Sequence, residues 1–375
     1  MAGIYIHVPY CKTRCIYCDF FTQVSMDNRG SYVEAVSKEI QLRKQYLGDE
    51  TVETIYFGGG TPSQLNKEEF ERIFQSIYDN FSVSETPEIT VEANPDDLTP
   101  DYIKMLRDLP FNRISIGIQS FDDEMLKFLK RRHSSQQAIS AIAELQKCGF
   151  DNISVDLMYG LPSQTEALWM HDLQMIADLD IQHISAYHLI YEEGTKLFRL
   201  LKNRQVSEVD EDTSLLLFSK LMETSENMGF IHYEISNFAK EGYISRHNSS
   251  YWLGAKYLGL GPSAHSFDGN NRAYNVLSIP QYITGIDAGE PNLKIEFLND
   301  QIRYNEYILT GMRTMWGIDL QDVNQKFGKE KFEYCSNIVR QYAEKGLLKI
   351  KGSNVSLSKD GIFISDTIMS DLMWV

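Results

Sequence analysis

Between residues 4 and 205 the chain alternates six times between a short run rich in β-branched and aromatic residues and an amphipathic helical segment. The six β-rich runs occupy residues 4–8, 53–57, 88–93, 113–118, 152–157 and 183–189. This alternation predicts parallel strands joined by helical crossovers, because parallel neighbours cannot be connected by a tight turn. The expected fold class is α/β, either a doubly wound sheet or, since there are six units, a partial (β/α)6 barrel.

Chemically distinctive residues follow, or end, each of these runs. In chain order they are Cys11, Cys15 and Cys18, the segment GGGTP (58–62), the segment EANP (92–95), Gln119, Asp156, and the pair Tyr187 and His188. Barrel enzymes build their active sites at the carboxyl ends of the strands. Six separate segments therefore predict one site at that rim of the barrel.

The repeat stops near residue 205. An acidic helical segment follows, and then a stretch rich in Gly, Tyr and Ser (233–267) that predicts a loop or lid. From about residue 300, helices precede two strands with a turn at 352–354, which resembles a small winged-helix-like domain. The predicted domains are residues 1–205 (barrel), 206–298 (helix, loop and connecting segment) and 299–375 (winged-helix-like).

The charge and the N-terminal sequence narrow the functional classes. With 36 basic and 52 acidic residues the net charge is −16, which argues against general binding of nucleic acid. No apolar run is long enough to span a membrane, and the N-terminal residues do not have the pattern of a signal peptide. A cytoplasmic protein with reduced thiols is therefore expected.

Three cysteines lie within eight positions after the first β-rich run, in the spacing C-x3-C-x2-C: Cys11, Cys15 and Cys18. A structural zinc site takes four ligands, and a nearby fourth candidate, His7, lies within the strand. A [4Fe–4S] cluster also usually takes four cysteines, so three thiolates leave one iron open. A small molecule can chelate an open iron, and the amino and carboxylate groups of S-adenosylmethionine are suited to this.

Ordered motifs continue this pattern along the chain: YIHVPYCKTRCIYCDF, YFGGGTPS, VEANP, RISIGIQSF, DLMYGLPSQT and GLGPSAHSF. In these motifs the sequence resembles the radical SAM superfamily, and over nearly its full length it is similar to the oxygen-independent coproporphyrinogen III oxidases. Within that family it most resembles the haem-chaperone branch. The resemblance implies a [4Fe–4S] cluster on the three cysteines, an exchangeable S-adenosylmethionine, and haem.

The resemblance also implies which residues contact S-adenosylmethionine. They are Tyr5, Tyr17, Gly59, Gly60, Thr61, Glu92, Gln119, Arg131 and Asp156. The two glycines are expected to let backbone approach the methionine end of the ligand. Glu92, with Asn94 nearby, is placed for the ribose, and Arg131 is suited to a carboxylate. Each side chain also has a purely structural interpretation, such as a solvated helix-end charge for Arg131.

Two functions of different class use such a site. One is oxidative decarboxylation of coproporphyrinogen III, and the other is the binding of haem and its transfer to an acceptor. The oxidases carry a further cysteine two places beyond the third, whereas Cys18 is followed by Asp19 and Phe20. The sequence is therefore interpreted as a haem chaperone, with the oxidase or another radical SAM enzyme as alternatives. The resemblance implies an acceptor haem protein, such as a membrane respiratory enzyme.

The segment HNSSYW (247–252) fits the pattern H-N-x-x-Y-W, which is associated with the chaperone branch. It lies after the sixth βα unit, where a barrel would be covered. His247 is therefore the candidate axial haem ligand, with Arg246 beside it for a propionate. The histidines considered next are His188, His232 and His265.

Overall fold

The computed structural model describes residues 2–375, and its centre is a set of six parallel strands joined by helical connections. The strands are β1 (Ala2–Val8), β2 (Val52–Gly59), β3 (Val83–Ala93), β4 (Arg113–Gln119), β5 (Ile153–Tyr159) and β6 (His183–His188). The helices are α1 (Arg29–Leu42), α2 (Lys67–Asn80), α3 (Pro100–Arg107), α4 (Asp123–Leu129), α5 (Ser135–Lys147), α6 (Glu166–Asp178), α7 (Lys196–Lys202) and α8 (Glu211–Asn227). All six predicted strands are confirmed.

Local sequence signals explain where several of these helices begin. Asn66 caps α2 and forms a capping box with Glu69, and Thr99 caps α3 directly before Pro100. Such caps satisfy backbone N–H groups that have no partner within the helix. The strands are buried on both faces, but only one face is apolar: in β4 the isoleucines alternate with Arg113, Ser115 and Gln119.

The sheet is longer than the sequence predicts. Further elements are β7 (Ile231–Glu234), β8 (Asn237–Ala239), α9 (Arg246–Trp252), β9 (Lys256–Leu260), β10 (His265–Phe267), β11 (Asn271–Asn275), α10 (Ile279–Asp287) and β12 (Leu293–Phe297). The strand order is β12-β11-β10-β9-β1-β2-β3-β4-β5-β6-β8-β7, so β12 and β7 lie at the two ends. The partial barrel is thus confirmed, and its sheet is extended at both edges.

The prediction of a loop or lid over residues 233–267 was wrong. β9 pairs in parallel with β1, and β8 pairs antiparallel with β6, so this segment mostly continues the sheet. These strands have only three to five residues, and the hydrogen bonds of an existing sheet edge stabilise strands that short sequence runs do not reveal. The segment HNSSYW also lies in a helix, α9, which begins at the N-cap Ser245.

The C-terminal part has a separate small core. Its elements are α11 (Asp300–Met312), β13 (Ile318–Asp319), α12 (Leu320–Phe327), α13 (Lys329–Glu344), β14 (Leu348–Lys351), β15 (Asn354–Leu357), α14 (Lys359–Ile362) and α15 (Ser365–Leu372). The helices and the three-stranded sheet pack around residues such as Tyr304, Val339 and Val355. The winged-helix-like domain is confirmed, and the domain boundaries at 205 and 298 stay predictions. In the described part of the chain, no helix is both long and apolar enough to cross a membrane.

Candidate functional site

The loop that carries the three cysteines begins where β1 ends and folds back on itself. Cys11 N donates to the Gln23 carbonyl (3.0 Å), and Gln23 N donates to the Pro9 carbonyl (2.7 Å). These two bonds tie the ends of the loop together. Cys11, Cys15 and Cys18 are all partly exposed, so the loop presents three adjacent thiols at the carboxyl end of β1.

Two of the three thiols, those of Cys11 and Cys18, have raised pKa values. Burial raises the pKa of Cys18 to about 11 and also raises the pKa of Cys11, and the neighbouring cysteines act in the same direction. The Thr61 hydroxyl opposes this effect because it donates to Cys11 Sγ (3.3 Å). A metal centre that binds here would replace the thiol protons as the positive partner of the sulfurs.

The glycine turn at the end of β2 packs closely against neighbouring backbone and side chains. Gly59 has φ +109°, and a Cβ there would lie 2.6 Å from His7 Nδ1. A Cβ on Gly60 would lie 2.9 Å from the carbonyl oxygens of Val8 and Tyr10. The glycines therefore let the turn pack against β1 and the start of the cluster loop, so contacts within the protein already require them.

Thr61, Asn94 and Arg131 connect two of the cysteines. Asn94 Nδ2 donates to Thr61 Oγ1 (3.2 Å), and Arg131 Nη2 donates to Asn94 Oδ1 (2.6 Å). Thr61 contacts Cys11 as described, and Arg131 Nη1 contacts Cys15 Sγ (3.5 Å). Arg131 is therefore not a solvated helix-end charge. Lys130, in the left-handed conformation at the end of α4, turns the chain so that Arg131 enters the site.

Two carboxyl groups lie in the barrel interior below this network. Glu92 accepts from the Tyr56 hydroxyl (2.8 Å) and from Gly59 N (3.2 Å). Burial is the main cause that raises the pKa of Glu92 to about 7, and the charge of Asp156 adds to it. Burial also raises the pKa of Asp156 to about 6, against the hydrogen bonds from Ser185 and Ser115. Both groups can change their protonation near neutral pH.

The remaining predicted cofactor residues surround the same region. The Tyr5 hydroxyl donates to His7 Nδ1 (3.1 Å), since His7 Nε2 donates to the Phe21 carbonyl, and the Tyr5 ring stacks on Tyr56 with centroids 6.1 Å apart. Gln119 ends β4 with φ +75°, and its Nε2 lies 3.0 Å from the position of a Cβ on Gly117. Tyr17 is half-buried beside Cys15 and Arg131, and desolvation there raises its pKa. The structure thus brings together all nine residues that the resemblance implied.

His247, the candidate haem ligand, is buried beside Tyr5 and Tyr56, and its ligand role stays a prediction. It is 1% exposed. Its Nδ1 bonds Thr54 Oγ1 (2.7 Å), and its Nε2 bonds the Tyr251 hydroxyl (2.8 Å). Its ring stacks on Tyr56 with centroids 4.8 Å apart. Because both ring nitrogens are bonded inside the protein, His247 offers none to a haem iron in this conformation.

Glu88, which sequence reasoning missed, holds this helix in place. Its two carboxylate oxygens accept from Arg246 N and His247 N, each at 2.9 Å. The side chain of Arg246 pairs with Glu53 (2.6 Å), so it is also occupied. Glu88 carries no local signal beyond a polar residue in a strand, and only its partners distant in sequence reveal its role.

The residues present fit a cluster with a small chelating ligand. Within residues 2–375, no three His, Cys, Asp or Glu side chains are arranged to hold a single metal ion. A [4Fe–4S] cluster has a different requirement, because each thiolate bonds its own iron. Arg131 Nε is buried and has no hydrogen-bond partner in the described structure, so it retains a donor for an anionic group.

Comparisons with known proteins identify the superfamily. Residues 5–176 match the model of the radical SAM superfamily, and residues 298–364 match the HemN C-terminal domain. A solved structure described as coproporphyrinogen III oxidase (HemN) from Escherichia coli, a radical SAM enzyme, has a TM-score of 0.84 and 21% identity. The similarity covers 99% of this chain and 89% of that chain, and it shows the shared fold. The fold and the three-cysteine loop define a radical SAM protein.

Curated relatives give a narrower assignment. The heme chaperone HemW of Bacillus subtilis is 32% identical over 371 residues, which cover 98% of each chain. The heme chaperone HemW of Mycobacterium tuberculosis is 31% identical over 377 residues, which cover 99% of this chain and 94% of the relative. The chain belongs to the HemW family of the radical SAM superfamily.

Proposed function

We propose that this protein is a haem chaperone that binds a [4Fe–4S] cluster, S-adenosylmethionine and haem, and that it transfers haem to an acceptor protein. The observation that carries the proposal is the full-length similarity to proteins named heme chaperone HemW. The sequence after Cys18 supports it, because Asp19 and Phe20 stand where the oxidases carry their further cysteine.

The cofactor residues have distinct roles in this proposal. Cys11, Cys15 and Cys18 hold the cluster and leave one iron for S-adenosylmethionine. Together the two groups supply one-electron chemistry when bound. Arg131 pairs with a carboxylate through the donor that is unpaired in the protein. Glu92 accepts from a ligand hydroxyl, and its bonds to Tyr56 and Gly59 fix its orientation.

The hydrogen-bond chain through Thr61, Asn94 and Arg131 couples the ligand site to the cluster loop. The chain joins Cys11 to Cys15 through three side chains. A ligand that draws Arg131 toward itself must therefore change the surroundings of both sulfurs. The acceptor, predicted to be a respiratory membrane enzyme, and the cytoplasmic location stay predictions.

A paired assay tests the function. Anaerobically reconstituted protein is loaded with haem and mixed with an apo-haem protein, and the acceptor's Soret absorbance is followed. The same preparation, reduced and supplied with S-adenosylmethionine, is incubated with coproporphyrinogen III. Haem transfer without formation of protoporphyrinogen IX is the expected result. Turnover of coproporphyrinogen III would show that the protein is an oxidase and would contradict the proposed chaperone function.

A further inference from the structure

Few of the eight histidines offer a ring nitrogen to an iron atom. Both ring nitrogens are hydrogen-bonded in His7, His183, His188 and His247. His133 is buried, and His232 is half-buried with Nε2 bonded to a carbonyl. Of the two exposed histidines, His171 lies 4.0 Å from Asp172. His265 is exposed and makes no hydrogen bond or ion pair with any residue that the structure describes.

His265 belongs to a row of three side chains across the extension of the sheet. His265 on β10, Tyr274 on β11 and Lys294 on β12 are direct cross-strand neighbours. The rings of His265 and Tyr274 stack, with centroids 5.1 Å apart and 20° between their planes. Lys294 Nζ lies 5.4 Å from the centroid of Tyr274, and in residues 2–375 it forms no ion pair. The row thus combines a metal-binding group, an aromatic surface and a cation.

The row lies on the face of the sheet that continues toward the cofactor residues. Ser266, the next residue after His265, is buried and accepts from Arg43 Nη2 (2.9 Å), so strand alternation turns His265 to the opposite face. Phe267 and Tyr257 share the face of His265, with ring centroids 6.4 Å apart. His265 is also close enough to His7 to contribute to the lowered pKa of His7, whose main cause is burial.

We propose that His265 is the axial ligand of the transferred haem and that Lys294 pairs with a haem propionate. This inference rests on the proposed haem-chaperone function. Partial desolvation by the neighbouring side chains, with the positive charge of Arg272 adding, lowers the pKa of the exposed His265, so the imidazole is neutral at neutral pH and able to bind iron. A single protein ligand leaves the sixth position of the iron exchangeable, which suits a protein that must release haem.

The test compares haem with metal-free protoporphyrin IX on the complete, cluster-loaded protein. His265→Ala is expected to weaken haem binding by about ten- to a hundredfold, since an axial ligand contributes about 1.4 to 2.8 kcal/mol or more. It should also shift the Soret band, and added imidazole should restore the band position. Binding of protoporphyrin IX should not change, because that ligand has no iron. Lys294→Gln should weaken the binding of both haem and protoporphyrin IX, since both carry propionates, without moving the Soret band of bound haem.

His171→Ala serves as the matched control, because it removes the other exposed histidine. If the wild-type protein binds no haem, the proposed function fails. If the wild type binds haem and His265→Ala binds it equally well with the same Soret band, His265 is not the ligand. If His265→Ala weakens the binding of haem and of protoporphyrin IX equally, His265 does not bind the iron, because its side chain then contributes only contacts that do not involve the metal. Unchanged urea-unfolding midpoints are expected for all three variants.

Discussion

The substitution His247→Ala separates a structural histidine from a haem ligand. In the structure this imidazole fills a buried site between Tyr56, Thr54 and Tyr251. It joins helix α9 to strand β2 through Thr54. We therefore expect the substitution to act first on the stability of the fold, whether or not haem is present.

The expected loss of stability follows from what the imidazole contacts. Its removal leaves the Thr54 and Tyr251 hydroxyls without their partners, at about 1 kcal/mol or more for each. The space left by the ring adds about 1 to 2 kcal/mol, because packed surroundings relax only in part. The total is about 3 to 5 kcal/mol, which corresponds to a fall in Tm of at least about 5 °C.

Calorimetry or circular dichroism of the haem-free protein measures this change. Thr54→Val removes one of the two hydrogen bonds and keeps the histidine, so it should give a smaller loss of about 1 to 2 kcal/mol. His171→Ala, at an exposed position, should leave the Tm unchanged. A His247→Ala variant with the wild-type Tm and a displaced Soret band would refute the structural role. That result would restore His247 as the haem ligand.

Three further predictions concern the cluster and the cofactor site. Anaerobic reconstitution should give about four irons per chain. Alanine at Cys11, Cys15 or Cys18 should abolish the brown chromophore of the cluster, whereas Cys148→Ala and Cys335→Ala should retain it. Reconstituted protein that contains zinc and no iron would contradict this prediction. Gly60→Ala should lower the iron content, because its Cβ would lie 2.9 Å from two carbonyl oxygens. Gly30→Ala is the control, because there is open space around Gly30, and it should not change the iron content. Equal iron content in the two variants would contradict the steric argument. Glu92→Gln removes an acid whose pKa is raised from 4.5 to about 7, and the native state of the wild type therefore loses stability as the pH rises through that range. Between about pH 4.5 and about pH 8 the free energy of unfolding of Glu92→Gln should rise by up to about 3 kcal/mol relative to that of the wild type. Urea-unfolding midpoints that change in parallel for the two proteins over this pH range would contradict the shifted pKa.

The sequence by itself determined the central barrel and the chemistry of its rim. β1 to β6 have six or more residues each and carry β-branched or aromatic residues at alternating positions, so each strand can be predicted before its neighbours are known. The cysteines follow the same logic. Their spacing fixes three thiols in one short loop whatever the rest of the fold does, and the count of three already predicts an open iron.

Tertiary structure alone decided the roles of residues whose partners lie far away in sequence. The strands β8, β9 and β10 are too short to be stable or recognisable without the sheet edge that they extend. His247 and His265 are both histidines in motif-bearing segments, yet one is enclosed by Thr54 and Tyr251 and the other is exposed. Burial and hydrogen bonding depend on which segments meet in space, and this is why the sequence motif could not show that His247 is enclosed and His265 is exposed.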